Sequence, residues 1–183
     1  MTAHCTDLNG DRSLGAKWEA NFQRAALRWG KAVTRHQVNR TGAAVAYSRI
    51  SGRHYTLPDV TVWSAPGEHH EIKHKNPTSR GKFGLEVYRF DALVWFANET
   101  GQPVYYTIHD WEHAGGKYEE ANRPRDWFMV DVRVLAAAPK ATFAGSSWVN
   151  GVATTVPIHY WAKELWAPLR DVWGDMPARE SVT

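Results

Sequence analysis

Two short apolar runs carry the side chains whose chemistry is most telling. The first, Leu57-Pro58-Asp59-Val60-Thr61-Val62-Trp63, has an acid near its start. The second, His70-Glu71-Ile72-Lys73, follows a Ser64-Ala65-Pro66-Gly67-Glu68 link. Pro-Gly between β-branched and aromatic runs predicts a turn, so His54 to Trp63 and His69 to Lys75 read as adjacent strands. Alternate strand residues share a face. Glu71 and Lys73 therefore point one way, and Ile72 points into the core. Asp59, twelve residues before Glu71, begins the partner strand and is brought back beside it. Two carboxylates and one ammonium then meet at a strand end. Two hard oxygen ligands with open positions suit Mg²⁺, which keeps waters and shares its shell with phosphate. A lysine beside such an ion can orient or deprotonate a water and offset charge on a phosphorane-like transition state. The plainer reading makes Asp59 a turn residue and Glu71–Lys73 an ion pair on a solvated face. Against it stands the alternation of Val60, Val62 and Ile72 with the polar positions.

The elements that must position these residues can be read from periodicity. Leu14, Trp18, Phe22, Ala25, Ala26 and Trp29 recur at helical spacing, with Ser13 as a cap and Gly30 at the end. Ala43 to Ile50 reads as a short strand, and Asn76 to Gly84 as a polar loop. Leu85, Tyr88, Ala92, Trp95 and Phe96 form a second amphipathic stripe, closed by Gly101 and Pro103. Pro103 to Ile108 is rich in β-branched and aromatic residues and reads as a strand. Strand, helix and strand in that order imply a right-handed crossover and a partly parallel sheet. Beyond a polar loop at 113–125, Trp127 to Leu135 is expected as a strand. Gly145 to Val156 is expected as a hairpin on Asn150-Gly151, and Ile158 to Val172 as a helix interrupted at Pro168.

Pro58-Asp59, a spacer and Glu71-Ile72-Lys73 resemble the PD-(D/E)xK nuclease superfamily, over roughly residues 14–110. That family often carries an acid on the helix before the sheet, and Glu19 stands at that place. Together Glu19, Asp59, Glu71 and Lys73 look most like the archaeal-type Holliday junction resolvases and related phage nucleases. The resemblance implies an α/β fold with a central mixed β-sheet flanked by helices, the restriction-endonuclease-like core, and a C-terminal extension. It divides the chain into a flexible start at 1–13, a core at 14–112 and an extension at 113–183 on the same domain. It further implies that Asp59, Glu71, the Ile72 carbonyl and Glu19 hold Mg²⁺, with Mn²⁺ able to substitute. Lys73 would position the attacking water. The reaction implied is metal-dependent hydrolysis of phosphodiester bonds in DNA, with a structure-selective, junction-resolving activity as one form.

Charge distribution agrees with a polyanionic partner. The formal net charge of +3 is too small to argue nucleic-acid binding alone. From Arg24 to Arg53, however, there are seven Lys or Arg and no acid, which fits a phosphate-facing surface and equally a solvated face. Arg35 in this stretch, Lys75, Arg80 and Lys82 after the second strand, and Arg89 on the second helix are the candidate phosphate contacts. A non-catalytic nucleic-acid-binding protein that keeps the nuclease fold is the competing class, yet a binder has little need of two carboxylates facing a polyanion. A single cysteine, Cys5, excludes a disulfide framework and the iron–sulfur branch of the nucleases. His109-x-x-x-His113 has ligand-like spacing but lacks the helix that would align it. Trp161 and Trp166, five apart, leave one exposed for a partner or for stacking on a base. No apolar run approaches the roughly 18–20 residues that span a bilayer, so no membrane partner and a cytoplasmic protein are expected. An apolar C-terminal helix would give a second copy a face for homodimer pairing.

Overall fold

The computed structural model describes residues 8–36, 45–48, 53–56, 58–64, 66–75, 77–110, 126–149 and 152–174; at 8–14, 45–48, 53–56, 148–149 and 152 only the backbone is described. The first helix, α1 (Leu8–Arg28), begins earlier than its apolar stripe, which leaves Ser13 inside it rather than at its cap. It closes at Gly30, whose φ of +68° is the left-handed conformation that glycine adopts without strain. Five strands follow: β1 (Ala32–Arg35), β2 (Val45–Ser48), β3 (Arg53–Thr56), β4 (Val60–Trp63) and β5 (Glu68–Lys75). The run expected from His54 to Trp63 is thus two strands, broken around Pro58. Then come β6 (Lys82–Glu86), α2 (Val87–Thr100), β7 (Val104–Asp110) and β8 (Trp127–Asp131). The chain continues with α3 (Val132–Ala137), β9 (Ala141–Val149), β10 (Val152–Ala162), β11 (Ala167–Pro168) and α4 (Leu169–Trp173).

Six strands form the central sheet in the order β1-β4-β5-β7-β8-β11. β5 and β7 are parallel, joined across α2, and the other pairings are antiparallel. This is the mixed sheet with flanking helices that was expected. Period-two alternation along β7 divides its side chains between two cores. Val104, Tyr106 and Ile108 pack with Phe90, Leu93 and Ala97 of α2. Tyr105 packs on the other side, where Trp18, Phe22, Ala25 and Trp29 of α1 meet Val60, Val62, Ile72 and Trp127. With both faces covered, the central strands lose the polar face that a half-exposed sheet would show. No helix among the described residues is long and apolar enough to cross a membrane.

Six expectations need correction. Lys82 to Gly84 belong to β6, not to a loop, because β6 pairs with β10 and supplies Phe83 and Leu85 to the α2 core. Gly84 reads as a breaker but serves close packing, since a Cβ there would lie 2.6 Å from Tyr160 Cε1. The strand expected to reach Leu135 stops at Asp131, whose carboxylate accepts the Arg133 N–H at 2.7 Å and starts α3. Ile158 to Val172 is not a helix. β10 continues to Ala162, a 3-10 turn spans Lys163–Leu165, and the five residues of α4 close the described chain. The helical face on which two copies were expected to pair therefore does not form. Nor is either late tryptophan free for a partner. Trp161 and Trp166 are buried and donate their indole N–H to the Leu135 and Tyr106 carbonyls at 2.9 and 3.1 Å. Tyr88, read as part of the α2 stripe, is 47% exposed; Phe90 and Leu93 carry the buried face.

β9 and β10 pair from Val149–Val152 onward, as the hairpin reading requires, although Asn150 and Gly151 themselves lie outside the described residues. The same holds for Ala43, Ala44, Arg49 and Ile50 of the strand expected at 43–50, for Cys5 and for His113.

Phe22 anchors α1 on the sheet, fully buried against His70 and edge-on to Trp127. Phe22→Ala is expected to lower unfolding free energy by about 3–5 kcal/mol in urea titrations. Leu27→Ala, one and a half turns further along at 55% exposure, should stay within about 0.5 kcal/mol. Equal effects would contradict the packing of α1 through its Trp18–Phe22 face.

Candidate active site

Asp59 immediately precedes β4, and the β4–β5 register places Val60 opposite His70. One step beyond that pair, Asp59 Oδ2 accepts the Ile72 N–H at 2.8 Å, which ties the start of β4 to the middle of β5. Ile72 is buried in the α1 core. Glu71 and Lys73 alternate to the opposite face, with Lys73 Nζ 2.7 Å from Glu71 Oε1. Arg89 in the first turn of α2 completes the group. Its Nε donates to Glu71 Oε1 at 2.8 Å and its Nη2 to Asp59 Oδ1 at 3.1 Å. One guanidinium thus bridges both carboxylates, a geometry that suits its planar fork of donors. Glu71 is 0% exposed, so the solvated-face reading of the Glu71–Lys73 pair fails.

Burial and neighbouring charge drive the four titratable groups in different directions. Burial, the nearby Glu71 charge and only partial relief from Lys73 and Arg89 push the Asp59 carboxyl up to about 6. Burial alone would raise Glu71 as well, but Arg89 and Lys73 overcome it and hold that carboxyl down to about 2. Burial disfavours the Lys73 ammonium, yet Glu71 and Asp59 outweigh it and hold its pKa above the ordinary lysine range. Lys73 is therefore a proton donor in this arrangement. Glu19 on α1 lies further out, with its carboxyl raised to about 7 by burial first and by Asp59 second. Asp59 and Glu19 bind protons more tightly folded than unfolded. They therefore favour the fold most below the ordinary carboxylate range, and that contribution fades as pH rises through about 6 and 7. Glu71 acts oppositely: its contribution is complete above 4.5 and is lost as pH falls toward about 2.

A cleft of about 290 Å³ opens on this cluster, lined by Trp18, Glu19, Asp59, Ile72, Lys73 and His74 among others. Trp18 stacks on His74 with ring centroids 3.8 Å apart, and His74 Nδ1 lies 3.0 Å from His109 Nδ1. Burial lowers His74 to about 3, helped by His109, and lowers His109 to about 4. Both rings are neutral near pH 7, so the cleft wall at His74, backed by the buried His109, is not cationic. His109 sits on β7, so it does not share a helical face with a residue four further on.

Among the described residues no three His, Cys, Asp or Glu side chains form a preformed metal cage. The donor set does fit a hard divalent cation that retains much of its water. Glu71 Oε2 is buried without a hydrogen-bond partner, while Glu71 Oε1 takes both cations. Asp59 and Glu19 titrate at about 6 and about 7, raised by burial first and by a neighbouring carboxylate second, and a bound cation would favour their ionised forms.

The candidate phosphate contacts divide. Arg80 is exposed and Lys82 half-exposed, beside the left-handed turn at Gly81. Arg35 is exposed on β1, with Nη1 donating to the Ala16 carbonyl at 3.2 Å, and its charge acts on Glu19. Lys75 instead donates to the Gly84 carbonyl at 2.6 Å, and burial lowers its pKa. Arg89 is engaged by the carboxylates, as described. Sequence reasoning missed this clamp and also Glu86, the α2 cap, which accepts from Ser147 Oγ at 2.9 Å and whose charge acts on Lys75 and Lys73. A signal for Arg89 was present. A cation in the first turn of a helix opposes the macrodipole, and α2 has no acid in that turn to offset it, so a partner outside the helix is implied.

No known protein family and no curated protein matches the chain. Among solved structures it is similar to the 1.6 Å structure of Hjc from Archaeoglobus fulgidus, a Holliday junction resolvase of an archaeal hyperthermophile. The TM-score is 0.52 at 13% identity, covering 90% of this chain and 99% of that one. The likeness is one of fold: a restriction-endonuclease-like mixed sheet between helices.

Carboxyl-carbon NMR titration is expected to find the Asp59 midpoint at about 6. In Glu71→Gln it should fall toward 3.8, because one of the charges that raises it is gone. An unchanged or higher midpoint would contradict the coupling of the two carboxylates.

Proposed function

We propose that the protein is a metal-dependent DNA endonuclease that hydrolyses phosphodiester bonds, with branched, junction-like DNA as its preferred substrate. The observation that carries this reading is the convergence of Asp59, at the start of β4, with Glu71 and Lys73 of β5, beside a cleft that Glu19 also lines. A fold shared with a junction resolvase supports it. Asp59, Glu71 and the Ile72 carbonyl would hold Mg²⁺, with Mn²⁺ as a substitute and Glu19 adding an oxygen from α1. A bound divalent cation lowers the pKa of an attached water and offsets charge on a phosphate.

The protein's own groups then have separable roles. Lys73, kept as an ammonium, orients a water through its N–H and stabilises negative charge as it develops on phosphate oxygens. It does not accept the proton. Glu19, titrating near neutrality in the cleft, is suited to exchange a proton with cleft water. Arg35, Arg80 and Lys82 supply positive charge on the segments that flank the site, which draws a polyanion toward it without reading its sequence. The non-catalytic alternative remains an outcome of the test below.

Cleavage of a four-way junction, linear duplex, single strand and supercoiled plasmid, with Mg²⁺, Mn²⁺ or EDTA, tests the reading. Metal-dependent cutting is expected to vanish in Glu71→Ala and to fall by about 10²–10³ in Lys73→Met, whose side chain keeps the length but not the charge. The wild-type rate should rise with pH through about 6 to 7 as Asp59 and Glu19 lose protons, and level off above. Binding of DNA without cutting in any metal, unchanged in the variants, would overturn the endonuclease and favour the binding protein.

A further inference from the structure

Arg89 occupies the place where a divalent cation would be of most use. Its Nε and Nη2 take one oxygen from each carboxylate, Glu71 Oε1 and Asp59 Oδ1. Asp59 Oδ2 accepts the Ile72 N–H, and Glu71 Oε1 also accepts from Lys73. Of the four carboxylate oxygens, Glu71 Oε2 alone lacks a hydrogen-bond partner, and it is sealed from solvent. The guanidinium is itself mostly buried, with 15% of its side chain accessible, so its charge is poorly screened. Asp59 and Glu71 together carry two negative charges. Lys73 and Arg89 already carry two positive ones. A divalent cation arriving there meets a neutralised pair and two cations at contact distance from its ligands.

We infer that Arg89 is a resident counter-ion which holds the Asp59–Glu71 pair together in the metal-free protein and competes with a divalent cation for it. The inference rests on the metal-site reading above and concerns how that site is loaded. Two consequences follow, and they have opposite signs. Without the guanidinium, two buried carboxylates face each other with one cation between them, so the metal-free fold weakens. The same loss removes the competitor, so metal binding tightens. A residue that merely braced the two carboxylates for the metal would give the first effect without the second. Its loss would weaken metal binding, because the ligands would no longer be held in register.

The test uses the full chain without DNA, titrated with Mn²⁺ and followed by the electron paramagnetic resonance signal of the free ion, with melting temperatures recorded in EDTA and in Mn²⁺. Glu71→Gln identifies the binding that belongs to this site. Arg89→Gln should melt lower than wild type in EDTA, regain stability with Mn²⁺, and bind Mn²⁺ about tenfold to a hundredfold more tightly, the loss of one or two charge-assisted hydrogen bonds that compete with it. Arg89→Lys keeps the charge but cannot span both carboxylates with a planar fork, so it should tighten binding by less. Should Arg89→Gln fail to fold, Arg89→Lys decides alone. Mn²⁺ binding that is unchanged or weaker in the folded Arg89 variants, beside intact Glu71-dependent binding in wild type, overturns the competition and leaves the nuclease reading standing. Absence of Glu71-dependent Mn²⁺ binding in wild type overturns that reading, and this inference with it.

Discussion

Burial of the Glu71 carboxylate is the constraint on which the rest of the site depends. Withdrawing such an ion from water costs several kcal/mol even after relaxation, roughly, and the cost is offset only by well-placed opposite charge and hydrogen bonds. Lys73 supplies one cation from the same strand and Arg89 a second from α2. The sheet cannot bring Arg89 there by itself. The β5–α2–β7 crossover does so: the parallel pairing of β5 with β7 requires a connection across the sheet, and α2 packs on the face that Glu71 occupies. Phe90, the next residue, fixes the first turn of α2 in the apolar core, so the guanidinium is aimed by packing rather than by its own flexibility. Interior charge and interior packing are here one arrangement.

The opposite face of β5 explains why the cluster opens to a cleft at all. Ile72 fills the α1 core, and α1 sets Trp18 against His74 and Glu19 beside Asp59 and Lys73. The cleft therefore has one wall of neutral aromatic rings and a floor of charge. The charge lies where the cleft opens, and the apolar wall limits how many waters can screen it. Lys73 reaches both regions, paired with a buried carboxylate at one end of its reach and lining the cleft at the other. Held as an ammonium, it brings positive charge to the cleft without needing a proton from solvent.

Much of this was legible from the chain. Alternation placed Ile72 opposite Glu71 and Lys73, and the Pro-Gly link placed Asp59 beside them. Gly101, with φ of +68°, closes α2 where its stop signal lies, and β5 and β7 are parallel as strand–helix–strand order demands. The losses have physical causes too. Apolar residues from Ile158 to Leu169 fall at near-helical spacing, but tertiary pairing with β6 decides in favour of a strand. Gly84 looks like loop chemistry until the side chains that cross it, Tyr160 and Ile158, are known. Glu71 and Arg89 are eighteen positions apart on different elements, and no period links them. Long-range ion pairs leave at most an oddity in the sequence, here a cation in the first turn of a helix.

The most direct measurement is a crystal structure of the protein soaked in Mn²⁺, with data collected at the manganese absorption edge. An anomalous peak within coordination distance of Asp59 and Glu71, with the Arg89 guanidinium withdrawn from at least one of them, is what the account predicts. A Mn²⁺ bound elsewhere, or the Arg89 bridge intact with no peak beside it at saturating Mn²⁺, would contradict it.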